Sequence, residues 1–94
     1  MPKYVVISTL TDEGAKTLKS RPARVEEVNR ELESMGVKVL EQYAVLGSFD
    51  FINIVEAPDN ATIAKAMVEL ASRGTIRTQT MPVIPVRELL EKLG

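Results

Sequence analysis

The sequence predicts an α+β domain in which helices cover one face of a four-stranded antiparallel sheet. Three observations predict it. Runs rich in Val, Ile, Thr and aromatic residues alternate with segments of three- and four-residue apolar spacing, in the order β-α-β-β-α-β. A Gly-Ser pair separates the two middle strands, and Gly36, Pro58 and Gly74 stand where segments should stop.

Residues 3–9 centre on Val5, Val6 and Ile7, as a buried strand requires. Thr11 offers a hydroxyl to the free N–H groups of a following helix, and Asp12 and Glu13 place negative charge at its positive end. Gly14 weakens that first turn. Ser20-Arg21-Pro22 breaks the helix, because proline suits a first turn and not an interior, so one short helix runs to about Lys19 and another starts at Pro22. In the second, Val25, Val28, Leu32 and Met35 form an apolar stripe, and Gly36 closes it.

Gly47 and Ser48 predict a two-residue hairpin turn with Gly47 at positive φ, joining strands 37–46 and 49–56. Pro58 ends the second strand and Asp59 caps a helix over 60–73 striped by Ile63, Met67 and Leu70. Residues 75–83 read as the last strand, and 86–93 as a short helix whose Val86, Leu89, Leu90 and Leu93 suit a higher assembly. This is the split β-α-β pattern of ferredoxin-like domains, in one domain spanning 1–94.

Composition narrows the functions. Twelve basic against 13 acidic residues leave a net charge of −1, which gives no electrostatic reason to bind nucleic acid or an anionic membrane. With no cysteine and no histidine, the chain lacks a thiol nucleophile, the commonest general base and the commonest zinc and haem ligands, so neither metal nor cofactor is expected. No window approaches a membrane span and no signal peptide is evident, so a cytoplasmic protein is expected.

Strand alternation then assigns the two sheet faces. One parity carries Val5, Ile7, Leu40, Ala44, Leu46, Ile52 and Ile54, suited to the helix stripes. The other carries Tyr4, Val6, Ser8, Val39, Tyr43, Val45, Phe49, Phe51, Asn53 and Val55, with Thr78 and Thr80, and is expected to lie bare. A surface that apolar is larger than monomers usually expose, which predicts that a second copy covers it about a two-fold axis. Two such sheets face to face make a dimeric α+β barrel.

Leu-Thr-Asp-Glu-Gly at 10–14, Leu-Gly-Ser-Phe-Asp at 46–50, Glu-Ala-Pro-Asp at 56–59 and Gly-Thr-Ile-Arg-Thr-Gln-Thr at 74–80 give the chain a pattern that resembles the GYD-domain family over nearly its whole length. The resemblance implies a dimeric α+β barrel and lends no general activity. Phe49 stands where the family's aromatic is usually Tyr, so no phenol is available there.

Two functions follow as expectations. In the first, a homodimer or higher oligomer binds a small metabolite or partner protein, with Tyr4, Tyr43, Phe49, Asn53, Thr78 and Thr80 lining a partly polar cavity in or beside the barrel. In the second, a cofactor-independent oxygenase or isomerase uses Asp50 or Tyr43 to move a proton. Each residue also has a structural account: Asp50 holding the hairpin, the threonines bonding across strands, and Tyr4, Tyr43 and Asn53 forming interface hydrogen bonds. Lys16, Lys19, Arg21 and Arg24 form a small basic patch that reads as solvated surface.

Overall fold

The computed structural model describes all 94 residues. Its elements are β1 (Lys3–Leu10), α1 (Asp12–Ser20), α2 (Arg24–Ser34), β2 (Lys38–Ala44), β3 (Phe51–Glu56), α3 (Asn60–Ala71), β4 (Ile76–Val83) and α4 (Val86–Leu93). The sheet order is β2-β3-β1-β4 with every pairing antiparallel, which is the ferredoxin-like arrangement the element order predicts. Helices α1, α2 and α3 lie on one face. The core joins Tyr4 and Val6 of β1 and Val55 of β3 to Leu32 of α2 and Ile63, Ala66, Met67 and Leu70 of α3.

The helix ends follow the caps read from the sequence. Thr11 Oγ1 accepts from Gly14 N at 3.1 Å and donates to Gly74 O at 2.8 Å, so one hydroxyl starts α1 and ties it to the approach of β4. Asp59 accepts from Thr62 N at 2.8 Å, and the Thr62 hydroxyl, followed by that backbone bond, holds its carboxyl below the usual range. Gly36 and Gly74 take positive φ, at 89° and 77°, and end α2 and α3 as left-handed stops. Gly14 does more than weaken a turn. A Cβ there would lie 1.9 Å from Thr75 O, so the absence of a side chain lets α1 press against the start of β4.

Three expectations are corrected. The faces are reversed over most of the sheet: Tyr4, Val6, Ser8, Asn53 and Val55 point into the helical layer and are buried, and Val5, Ile7, Ile52 and Ile54 form the open side. Strand parity alone could not choose, because both faces are apolar. The polar members of the inner set are admitted by hydrogen bonds, Tyr4 Oη donating to Asn60 Oδ1 at 2.6 Å and Asn53 Nδ2 to Val6 O at 3.0 Å. In β2 a bulge between Val39 and Glu41 adds a residue, so Val39 faces the core while Tyr43, paired with Ile52, faces out.

The hairpin also differs. Residues 45–50 form a longer connection and Gly47 does not take positive φ. Asp50 organises it. Its backbone closes on Val45 N at 2.9 Å and Ser8 O at 2.8 Å, and its carboxylate accepts from Leu10 N at 2.8 Å. Finally, α2 begins at Arg24, with Pro22 and Ala23 in the preceding turn, and α3 stops at Ala71 before a short turn.

Candidate functional site

A cavity of about 200 Å³ lies between the sheet and the α1–α2 layer. Its floor is built from short polar side chains, Ser8, Asn53 and Thr78, where neighbouring inward positions carry Val. Its walls are Leu18, Val25, Val28 and Phe51, all only partly buried because nothing large rises from the floor to meet them. The break at Ser20-Arg21-Pro22 lets α1 and α2 frame the space as two separate helices.

One polar chain crosses this region. Asn29 of α2 donates to Gln42 Oε1 at 2.9 Å, Gln42 donates to Asn53 Oδ1 at 2.8 Å, and Asn53 Nδ2 donates to Val6 O and, at 3.1 Å, to Ser8 Oγ. Both amide protons of Asn53 are thus used. The Ser8 hydroxyl proton has no acceptor within the chain although Ser8 is only 3% exposed, and the Thr78 hydroxyl makes no hydrogen bond. Beside them, Arg24 and Arg73 grip Glu31 at 2.8 and 2.6 Å. The hydrogen bonds from Arg24 and then Arg73 hold the Glu31 carboxyl below its ordinary range. Neither guanidinium is left as a free cation.

Of the residues singled out from the sequence, Asn53 and Thr78 meet on the cavity floor. Thr80 lies next along β4, opposite Val6, with its Oγ1 buried and unpartnered. Tyr4 points toward α3, Phe49 sits in the hairpin connection, and Tyr43 lies on the opposite face of the sheet. Asp50 is the hairpin anchor described above. The Tyr43 hydroxyl donates to Glu41 at 3.0 Å, and that bond and the Glu41 charge raise its pKa, so the phenol holds its proton. The basic patch is largely paired: Lys16 with Glu13, Arg21 with Glu27 and Arg24 with Glu31. Ser8, Gln42 and Asn29 were not singled out. Their only signal is that each places a polar group at or beside an apolar inward position.

The open sheet face is the second notable surface. Val5, Ile7, Ile52 and Ile54 form its centre, with Met81 42% and Tyr43 55% exposed at its sides. No residue of α4 is buried, although Val86, Leu89, Leu90 and Leu93 share one stripe. Total accessible surface is 6557 Å², against about 5,400 Å² for a compact monomer of this mass. The radius of gyration, 14.3 Å, likewise exceeds the expected ~12.4 Å. The excess of about 1,150 Å² is comparable to what one partner buries in a stable protein interface.

The GYD-domain model matches residues 4–93. The chain belongs to the GYD-domain family. This GYD domain is 56% identical over 94 residues, 99% of each chain, to a Thermus thermophilus protein named glutamine synthetase and cystathionine beta-lyase binding protein. Among solved structures, FFRP-DM1 superposes with a TM-score of 0.59 at 23% identity, covering 89% of this GYD domain and 100% of that chain. A crystal structure of a Thermus thermophilus protein gives 0.56 at 21% identity, covering 90% and 95%. These two likenesses show the shared fold. The Gly-x-aromatic-Asp stretch of this GYD domain, Gly47 to Asp50, lies in the hairpin connection, where Asp50 joins it to β1. No helix is long and apolar enough to cross a membrane.

Proposed function

We propose that this GYD domain is a protein-binding module that pairs with a second copy through its open sheet face and carries metabolic enzymes as partners. The observation that carries the reading is the aliphatic face of Val5, Ile7, Ile52 and Ile54, partly accessible with no helix over it, together with the exposed α4, on a chain whose surface exceeds that of a compact monomer by about 1,150 Å². An identical sheet is the economical cover, because a two-fold axis lays aliphatic centre on aliphatic centre. The name of the Thermus relative supports enzyme partners, and identity of 56% across both full lengths supports carrying that role over. Glutamine synthetase and cystathionine beta-lyase are accordingly the first candidates.

Proton-transfer chemistry fits less well. Asp50 is engaged by Leu10 N and the raised pKa of Tyr43 removes it as a base near neutrality. Purified chain mixed separately with purified glutamine synthetase and cystathionine beta-lyase from the same organism should co-elute with at least one of them in size-exclusion chromatography with light scattering. Unchanged elution of both enzymes at tens of micromolar would reject the enzyme-partner reading.

A further inference from the structure

The geometry points to the cavity under α1 and α2 as a binding site for a small neutral molecule, one with a compact hydrocarbon body and a single hydroxyl or carbonyl group. This goes beyond the protein-binding reading and does not depend on it, since the cavity lies on the side of the sheet away from the open face.

Size comes first. An apolar cavity of about 150 Å³ admits benzene, so about 200 Å³ accommodates a body of one ring and one or two further heavy atoms. Leu18, Val25, Val28 and Phe51 supply apolar contact from two helices and β3. At the rim Arg24, Arg73, Asn29 and Gln42 are taken up by one another or by Glu31, Thr17 and Thr75 add hydroxyls beside the helices, and the polar groups that meet across the sheet are those of the floor. There the Ser8 hydroxyl has a proton to donate and no acceptor, Thr78 beside it across the β1–β4 pairing has its whole hydroxyl free, and Asn53 is locked by its partners into a fixed orientation. A ligand hydroxyl can accept from Ser8 and donate to Thr78, and a carbonyl can accept from both. A buried donor without an acceptor costs free energy that such a ligand restores.

Charge sets the remaining limit. The cationic groups at the cavity, Arg24 and Arg73, are both held by Glu31, and Arg73 also lies 3.6 Å from Glu69. A carboxylate ligand would have to displace these partners and shed its own water, which favours the neutral form.

The probes are p-cresol, toluene and benzoate, titrated separately into the ¹⁵N-labelled full chain while amide shifts are followed by NMR. The expected result is saturable shifts with p-cresol at Ser8, Val28, Phe51, Asn53 and Thr78, weaker binding of toluene at the same residues, and no saturable binding of benzoate there. Thr78→Val and, separately, Ser8→Ala should each weaken p-cresol about five-fold, the worth of one hydrogen bond, and leave toluene within two-fold. Thr78 is only half-buried, so Thr78→Val keeps the test intact if Ser8→Ala unfolds. The proposal is overturned if p-cresol shifts map elsewhere or do not saturate, if benzoate binds as well as p-cresol, or if Thr78→Val leaves the preference for p-cresol over toluene unchanged.

Discussion

Replacing Gly14 by Ala sets two physical effects against each other. In an isolated helix the change stabilises by about 1 kcal/mol, because Gly has more backbone freedom to lose. Here the new Cβ would fall 1.9 Å from Thr75 O and 3.0 Å from its carbonyl carbon, both backbone atoms. Ordinary contact requires a retreat of more than an ångström. Two hydrogen bonds span the same gap, Thr11 N to Thr75 O at 3.0 Å and Thr11 Oγ1 to Gly74 O at 2.8 Å. Each contributes about 1 kcal/mol, and overpacking strain costs a further 1–3 kcal/mol or so. The balance is a net loss of about 3 kcal/mol, which for a domain of this size lowers Tm by roughly 12–24 °C. Thermal unfolding followed by circular dichroism reads this directly. A Gly14→Ala protein as stable as wild type, or more so, would refute the claim that α1 and β4 touch through this glycine.

Asn53→Ala should destabilise by about 2 kcal/mol in denaturant titration, because it removes the buried hydrogen bonds to Val6 O and Ser8 Oγ; a change under about 0.5 kcal/mol would contradict the network. Thr11→Ala should cost about 1 kcal/mol through the lost α1 cap, seen as a lower Tm. Glu31 has a folded-state pKa below its unfolded value, so its stabilising contribution is present above the unfolded value and is lost as pH falls through the folded one. As pH falls below the ordinary carboxylate value of 4.5, wild type should therefore lose stability more steeply than Glu31→Gln, and superimposable acid profiles would sink that assignment.

How far the sequence could be read depended on whether a local group decided the outcome. Thr11, Asp59, Gly36 and Gly74 act within one turn of where they stand, and the helix ends follow them. The choice of sheet face depended on neighbours far along the chain. Tyr4 meets Asn60 and Asn53 meets Val6, 56 and 47 residues away, and these bonds let polar groups share the inward face with Val6 and Val55. Apolar content therefore could not tell inside from outside. The inserted residue in β2 turned Tyr43 to the face opposite Val39 without warning, because a bulge breaks the two-residue period with no obvious residue to mark it. Of the candidate site, Asn53, Thr78 and Thr80 remain close together because relative parity survives an error of absolute face. Their cavity depends on how α1 and α2 stand off the sheet, which strand alternation does not encode.

Sedimentation velocity of the purified chain, with Ile54→Lys alongside, tests the covered-face account most directly. The account predicts a wild-type mass that is a multiple of 10.4 kDa at micromolar concentration, and a folded Ile54→Lys protein that sediments as the 10.4 kDa monomer. A wild-type chain that stays at 10.4 kDa up to about 100 µM, well above the Kd of typical stable interfaces, would contradict it.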